Sequence, residues 1–280
     1  MCKRALLTIL AVAIIAGAAH AQKLKPEEIV AKNLDSIAPI DVRAAFKTFI
    51  AVGEVTVNYV TQKNPSASGR VVLASAGDRS FIGYSLNAAD YPSERIVFDG
   101  NKTSVDFVRP GNRSTLGNFI ISNGALVSNG LFGGVLSTNW AIMKTESRRP
   151  KLSSQGTKKI DGREVYALGY SPRGGGDLDI TLFFDKETFR HVRTEYTRTS
   201  SASIGRTIDE SARQSETRFK IVENFADFRN VKGLVMPHAY SLQYLVTGAN
   251  GTTEIVWNYV LTEFAVNQPI EDATFAVRAG

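Results

Sequence analysis

The feature that most constrains the fold is a succession of about twelve segments in which apolar and polar residues alternate with a period of two. In GEVTVNYVT (53–61), for example, valine and tyrosine alternate with glutamate, threonine and asparagine. Successive side chains of a strand point to opposite faces of a sheet, so this period predicts strands with one dry face and one solvated face. The predicted strands begin at Phe49 and continue over 69–76, 79–86, 95–99, 103–108, 151–158, 164–171, 178–185, 190–200, 216–228, 234–247 and 252–264.

The connections between these segments are short and carry turn residues, such as Asp99-Gly100, Asp161-Gly162 and Asn250-Gly251. Asp-Gly and Asn-Gly favour the tight turns of β-hairpins, which join antiparallel strands. No repeat with a period of about 20 to 50 residues is visible, which argues against a propeller or a solenoid. The segments therefore predict one large antiparallel sheet. A sheet of this size twists and curls, and its dry concave face needs a cover.

Two stretches of the chain are candidates for that cover. Residues 25–37 carry their apolar side chains on one helical face, and a second short helix is predicted over 41–46. Residues 114–142 interrupt the strands with large apolar side chains. Gly124, Gly130, Gly133 and Gly134 divide this stretch into short helical pieces, because each glycine weakens a helix interior by about 1 kcal/mol relative to alanine. The central part of this stretch, NGLFGGVLSTNW (129–140), is predicted to form a movable apolar lid that tolerates a charge at Leu131 or Phe132.

The first 21 residues are typical of a secretory signal peptide. Two basic residues precede a short apolar run, and Ala19-His20-Ala21 matches the small-residue pattern of a cleavage site. The only cysteine, Cys2, lies ahead of the apolar run, whereas a lipid-anchored bacterial protein needs its cysteine directly after that run. The sequence therefore predicts an exported protein without a lipid anchor, with a signal peptide over 1–21 and one domain over 22–280. That domain contains neither a thiol nor a disulfide.

The charge of the predicted mature chain is mildly positive. Without Lys3 and Arg4, the 33 basic residues fall to 31, which stand against 27 acidic residues. The basic residues are spread along the chain, and only Arg148, Arg149 and Lys151 are clustered. Proteins that bind nucleic acid concentrate basic residues on one face, so the sequence predicts no nucleic-acid partner.

Catalytic chemistry has few candidate residues in this chain. Two histidines, His191 and His238, remain after cleavage, and neither belongs to an H-E-x-x-H motif. His191 is predicted to lie on a solvated strand face because it alternates with Arg193 and Glu195, and His238 is predicted to have a structural role at a strand start. The acidic residues of GGGDLDITLFFDKE (174–187) lack the spacing of a calcium loop and are predicted to be strand and turn residues. We therefore expect no enzyme, no metal and no cofactor.

Four passages of the sequence resemble the outer-membrane lipoprotein carrier superfamily, also called LolA/LolB-like or lipoprotein-sorting-like proteins. They are PEEIVAKNLDSI (26–37) followed by VGEVTV (52–57), LDITLFFDKETFRHVRTEY (178–196), FADFRNVKGLVMPHAYSL (225–242) and AVNQPIEDATFAV (265–277). The resemblance implies a mainly β fold with a helical lid (α+β). In it, an unclosed β-barrel of about 11 to 12 antiparallel strands has its concave face covered by N-terminal helices and a helical insert. The chain differs from the best-known member in its length, its glycine-rich insert and its hairpin around GGGDLD, so no individual residue role is transferred.

The resemblance also implies a function. We expect a monomeric, non-catalytic carrier or chaperone in the periplasm of a Gram-negative-type envelope. It would bind the acyl chains of a lipoprotein or lipid in a hydrophobic cavity, with envelope membrane proteins as further partners. The alternative is a cell-envelope sensor or scaffold module of the same fold, which binds a protein partner and fills the cavity with its own side chains. The residues assigned to the acyl cavity and lid are Ile29, Leu34, Phe119, Leu131, Phe132, Leu136, Trp140, Phe184, Tyr196, Tyr244 and Trp257.

The cleavage site yields the first testable prediction. We expect the protein recovered from a periplasmic extract to begin at Gln22, because signal peptidases cleave after the A-x-A pattern. Intact-mass spectrometry measures this directly. A chain that begins more than a few residues away, or that retains Met1 with an acyl group, would contradict both the site and the export of an unanchored domain.

Overall fold

A computed structural model of the chain describes residues 24–61, 66–200, 216–249 and 251–277. The predicted signal peptide and Asn250 of one predicted turn lie outside the described residues. Within these ranges, no helix combines the length and the apolar character needed to cross a membrane.

Twelve antiparallel strands form one sheet, as the alternating segments predict. They are β1 (Thr48–Tyr59), β2 (Ala67–Ala76), β3 (Arg79–Leu86), β4 (Ser93–Phe98), β5 (Thr103–Val105), β6 (Lys151–Ile160), β7 (Arg163–Ser171), β8 (Asp179–Asp185), β9 (His191–Ser200), β10 (Thr217–Val231), β11 (Leu234–Gly248) and β12 (Gly251–Val266). Their order in the sheet is β5-β4-β3-β2-β1-β12-β11-β10-β9-β8-β7-β6. In the described part of the chain β5 and β6 do not pair, so they are the two edges of an unclosed barrel. The predicted fold class is confirmed.

Both predicted N-terminal helices are present, as α1 (Pro26–Ile37) and α2 (Ile40–Ala45). Pro26 suits the first turn of α1, and the Glu28 carboxylate accepts the Lys25 backbone N–H at 2.7 Å, which satisfies a donor that the helix leaves free. Ile29 and Ile37 are buried on the face of α1 that packs on the barrel. This helix contacts β6 and β11 and therefore lies over the barrel interior.

The connection from β5 to β6, residues 106–150, is called the insert. It contains α3 (Thr115–Ser122), α4 (Ala125–Ser128), α5 (Thr145–Arg148) and two 3-10 turns, Gly134–Leu136 and Ala141–Lys144. Because β5 and β6 are the opposite edges of the sheet, the insert has to cross the whole sheet. It crosses the concave face, where the Phe119 ring meets the Tyr244 ring of β11 and the Trp140 ring stacks on the His191 ring of β9.

The strands bury one face against the insert, as their alternation predicts. In β12, Ile255, Trp257 and Tyr259 are buried, whereas Asn258 between them is exposed. The inward-facing side chains, α1 and the insert form one large core cluster. On the convex face, Phe275 of the C-terminal 3-10 turn Asp272–Phe275 packs on Val97 in a much smaller cluster. The principal core therefore lies inside the barrel.

The structure corrects the prediction for His191. Phe183 pairs with Arg193 and Phe184 pairs with His191, so Val192 is an extra residue that forms a β-bulge. The bulge reverses the alternation at the start of β9 and turns His191 into the barrel, where 2% of its surface is exposed. His238 is half-buried inside β11 rather than at its start, and its Nδ1 atom lies 3.2 Å from the Met236 carbonyl oxygen.

Candidate functional site

The predicted cavity and lid residues meet inside the barrel. Ten of the eleven are buried members of the principal core cluster, and Leu34 is half-buried and packs against that cluster. Tyr196, Tyr244 and Trp257 project from three strands of the wall, whereas Leu131, Phe132, Leu136 and Trp140 come from the insert. The structure therefore brings these residues together, and their role in ligand binding remains a prediction.

The insert fills the barrel interior almost completely where it meets β2, β3 and β4. The cavity at this point has a volume of about 20 Å³ and is lined by Val127, Phe132 and Leu136 of the insert. A cavity needs roughly 10 to 15 Å³ of such space to hold one water molecule, and sites for small organic ligands measure roughly 300 to 1,000 Å³. In this conformation, the side chains of the insert occupy the space in which an acyl chain was expected.

A larger groove of about 700 Å³ lies at the surface, beside the end of the insert. Leu34 of α1 lines this groove, together with Asp78, Lys144 and Arg148. Lys144 and Arg148 both approach the Asp78 carboxylate, so charged side chains form part of the groove lining. Of the predicted site residues, Leu34 is the one that lines this groove.

Three polar side chains lie in the middle of the apolar wall, and we call Glu223, Tyr196 and Tyr240 the Glu223 cluster. All three are almost fully buried. The hydroxyl groups of Tyr196 and Tyr240 each lie 2.6 Å from a carboxylate oxygen of Glu223. The insert completes the cluster, because the Gly133 backbone N–H donates to Glu223 Oε1 at 2.7 Å and the Leu131 carbonyl oxygen lies 3.0 Å from the Tyr196 hydroxyl.

Burial sets the protonation of this cluster. It raises the pKa of Glu223 from its ordinary 4.5 to about 7, against the opposing effect of the hydrogen bonds from Tyr196, Tyr240 and Gly133. The Tyr196 hydroxyl has one proton, which cannot serve both Glu223 and Leu131. When Glu223 is protonated, its own O–H can donate to Tyr196, and Tyr196 can then donate to Leu131. The protonated carboxyl thus satisfies every contact in the cluster.

A second buried carboxyl group, Glu94 of β4, holds the start of the insert. It accepts hydrogen bonds from the hydroxyl groups of Tyr91 and Ser114. Ser114 is also the N-cap of α3, because its Oγ accepts the Gly117 backbone N–H at 2.8 Å. Burial raises the pKa of Glu94, while the hydrogen bonds from Ser114 and Tyr91 oppose this effect. Buried carboxyl groups therefore anchor the insert at its start and at its centre.

Neither carboxyl group is among the predicted site residues, although the sequence contains a signal for both. Glu223 lies two residues from both Ile221 and Phe225, and Glu94 lies two residues from Ile96. The strand period therefore places each glutamate on the dry face. A charged residue in phase with buried neighbours indicates a polar group with partners, because an unpaired buried charge is too costly.

The central part of the insert is bonded chiefly to itself. The Ala141 N–H donates to the Gly130 carbonyl oxygen at 2.8 Å, and the Leu131 N–H donates to the Leu126 carbonyl oxygen at 2.9 Å. The Arg148 guanidinium donates to the carbonyl oxygens of Asn129 and Asn139. These bonds fold residues 126–141 into one compact unit with its own internal connections.

The acidic residues of GGGDLDITLFFDKE have structural partners. The Asp185 carboxylate accepts the backbone N–H groups of Glu187 and Thr188 at 3.1 and 2.8 Å, which confirms its predicted turn role. Asp177 pairs with Arg198 at 2.7 Å. Across the described ranges, no three histidine, cysteine, aspartate or glutamate side chains are grouped as a metal site would require.

Comparison with known proteins gives structural matches. No protein-family model and no curated protein matches the chain in sequence. A LolA superfamily protein from Nitrosomonas europaea is 12% identical with a TM-score of 0.47, over 91% of this chain and 98% of that chain. A putative outer membrane lipoprotein-sorting protein domain from Vibrio parahaemolyticus is also 12% identical with a TM-score of 0.47, over 90% and 97%. A DUF1329 family protein from Desulfovibrio piger is 12% identical with a TM-score of 0.42, over 90% and 98%. The superfamily that the sequence resembles is thus among these matches.

Burial of the insert changes the expected effect of a charge at Leu131. The sequence predicts that a glutamate there swings outward and leaves the melting temperature close to wild type while acyl-probe binding is lost, but Leu131 is packed against the wall and 0% exposed. We therefore expect Leu131→Glu to lower the melting temperature by more than about 5 °C, since burying an unpaired charge costs several kcal/mol. The matched control is Ile121→Glu, because Ile121 belongs to the same insert and is 42% exposed. A Leu131→Glu melting temperature as close to wild type as that of the control would contradict the packing.

The raised pKa of Glu223 predicts a pH dependence of stability. Between pH 4.5, the ordinary pKa of a glutamate, and about pH 7, Glu223 keeps a proton in the folded protein that it loses in the unfolded chain. The contribution of Glu223 to the free energy of unfolding therefore falls as pH rises. We expect the free energy of unfolding of the wild type, relative to Glu223→Gln, to fall by about 2 to 3 kcal/mol from pH 5 to pH 8. Buried His191, with its pKa lowered to about 3, contributes the opposite trend below pH 6.5, but it is present in both proteins and cancels.

Urea unfolding of both proteins at several pH values between 5 and 8 measures this difference. Glutamine is neutral and can donate to Tyr196 as the protonated carboxyl does, so it is the closest neutral replacement. A constant difference across the range would show that Glu223 is already ionised in the folded protein, contrary to the prediction.

Proposed function

We propose that the protein is a non-catalytic carrier that binds an apolar chain, such as the acyl chain of a lipoprotein or lipid, in the space that the insert now occupies. The single observation that carries the proposal is the position of the insert. It spans the concave face from one sheet edge to the other and places Leu131, Phe132 and Leu136 against a wall of inward-facing apolar side chains. The insert thus acts as an internal substitute for a ligand.

The way in which the insert is attached supports an exchange between insert and ligand. Polar contacts from its centre to the sheet are scattered, and they include Gly133 N–H to Glu223 and Thr138 N–H to Ser75 Oγ at 2.9 Å. Strands are joined to each other by continuous ladders, whereas residues 126–141 are bonded mainly among themselves. Such a unit can leave the wall without unpairing the sheet.

The free-energy cost of moving the insert off the wall is similar in size to the free energy gained when an acyl chain is buried there. Exposing four large apolar side chains of the insert, those of Leu131, Phe132, Leu136 and Trp140, costs about 6 to 12 kcal/mol, at roughly 1.5 to 3 kcal/mol each. Burying a chain of about fifteen methylene groups contributes roughly 12 kcal/mol, at about 0.8 kcal/mol each. The closed state is therefore favoured without a ligand, and a long acyl chain offsets the cost of opening. Short chains do not supply enough buried area.

The predicted signal peptide gives this carrier its place in the cell. A protein exported by such a signal peptide would be suited to move an apolar chain through an aqueous envelope compartment, which in this proposal is the periplasm. The proposed clients are lipoprotein acyl chains or lipids, and the envelope membrane proteins that deliver and receive them are the proposed partners. No step of this activity needs a catalytic group or a cofactor.

Locking the insert tests the proposal. Ser75 Oγ lies 2.9 Å from Thr138 N, so the two Cα atoms are at most about 7 Å apart, near the limit that a disulfide bridges. We expect oxidised Ser75→Cys/Thr138→Cys to lose binding of a fluorescent C16 fatty acid by at least about tenfold, because the insert can no longer leave the wall. Reduction with dithiothreitol is expected to restore binding. Apart from Cys2 in the predicted signal peptide, the sequence contains no other cysteine to interfere.

The matched control is a disulfide in a part of the sheet that does not move. Thr247 and Thr252 face each other near the end of the β11–β12 hairpin, with their hydroxyl oxygens 3.2 Å apart. Oxidised Thr247→Cys/Thr252→Cys is expected to bind the fatty acid as the wild type does. Equal binding by both oxidised variants would contradict an exchange with the insert, and absence of binding by the wild type would contradict the carrier function itself.

A further inference from the structure

The Glu223 cluster raises a question that an acyl chain alone does not answer. A hydrocarbon has neither donors nor acceptors, yet the wall behind the insert carries a buried carboxyl group and two buried hydroxyl groups. In the closed state, the insert supplies their outer partners. If a purely apolar chain replaced the insert, Glu223 and Tyr196 would lose these partners while they stayed buried. Each lost partner of a buried polar group costs roughly 1 to 3 kcal/mol.

The partners that the insert supplies have a defined chemical pattern. The acceptor is the carbonyl oxygen of Leu131, 3.0 Å from the Tyr196 hydroxyl, and the donor is the N–H of Gly133, 2.7 Å from Glu223 Oε1. These groups belong to two successive peptide units on either side of Phe132. An acylated amino-acid amide has the same arrangement, with the acyl C=O first and the next amide N–H one residue further along.

We propose that the Glu223 cluster is a polar subsite that recognises an apolar ligand through one amide C=O and one amide N–H placed one residue apart. This inference rests on the proposed carrier function and adds a chemical selection to it. Tyr196 donates to the acyl C=O, and Glu223 accepts the N–H. Tyr240 holds the Glu223 carboxyl in place through its own hydrogen bond of 2.6 Å. The acyl chain then lies along the wall that Leu131 and Phe132 cover in the closed state.

The subsite distinguishes an amide from an ester at the position that faces Glu223. An ester has an oxygen where the amide has its N–H, so the Glu223 oxygen would meet another acceptor instead of a donor. A site that is built to hydrogen-bond a ligand N–H rejects an analogue without it, because the buried partner is left unpaired. The apolar part of the site gains equally from both ligands and does not contribute to the selection.

Two probes that differ in one group test the inference. The amide probe is N-hexadecanoyl-glycine N-methylamide, and the ester probe is N-hexadecanoyl-glycine methyl ester. Both have the same acyl chain and acyl C=O, and the terminal N–H is replaced by oxygen in the ester. Displacement of a fluorescent C16 fatty acid from the wild-type protein gives both affinities. We expect the amide probe to bind at least about tenfold more tightly.

Three variants assign the selection to individual groups. Glu223→Leu removes the acceptor, so the amide and ester probes are expected to bind this variant with about equal affinity. Tyr196→Phe removes the donor to the acyl C=O that both probes share, so both affinities should fall while their ratio persists. The control is Tyr84→Phe, because the Tyr84 hydroxyl bonds to the Tyr259 hydroxyl at 2.8 Å on the same wall. This variant should keep both affinities and their ratio.

Each outcome separates the inference from the carrier proposal. Equal binding of the two probes by the wild type, or tighter binding of the ester, would overturn the polar subsite and leave the carrier function standing. Failure of the fatty acid and both probes to bind would overturn the carrier function and the subsite with it. If Glu223→Leu does not fold, the wild-type ratio and the Tyr196→Phe variant still decide.

Discussion

One topological constraint shapes the whole molecule. The strands on the two sides of the insert form separate meanders, and pairing of β1 with β12 joins them into one sheet whose edges are β5 and β6. The chain therefore has to travel from one edge to the other, and the concave face, which needs an apolar cover, is the path it takes. The insert is at once a connection, a core layer and the occupant of the proposed binding site.

The amino-acid sequence predicts the strands, the N-terminal helices and the role of the insert as a cover, because a period of two and a period of 3.6 are local signals. The β1–β12 pairing is not local, and no residue near Thr48 or Val266 predicts it. His191 was misplaced for a similar reason, since a one-residue bulge at Val192 inverts the phase of the strand. Glu223 could have been found from its phase, but its tyrosine partners come from two other strands.

In our proposal, the contacts that hold the insert against the wall are also the contacts that select the ligand. Glu223 and Tyr196 hold Leu131 and Gly133 in the free protein, and in our proposal they hold an amide-bearing ligand after the exchange. In this proposal, the buried polar groups keep their hydrogen bonds in both the free and the ligand-bound protein. The apolar contacts of the wall, which are unspecific, are made by the insert in the free protein and by the acyl chain in the complex. In this proposal, ligand recognition is the role of the carboxyl group in a largely apolar wall.

Hydrogen exchange of individual insert amides tests most directly whether a ligand takes the place of the insert. The backbone N–H groups of Gly133 and Thr138 donate to Glu223 and Ser75 of the sheet, whereas the N–H of Leu131 donates within the insert. With a C16 fatty acid bound, the account predicts faster exchange at Gly133 and Thr138, with unchanged protection in the β11–β12 ladder. Equal or slower exchange at Gly133 and Thr138 would contradict it, because the insert would then remain on the wall beside the ligand.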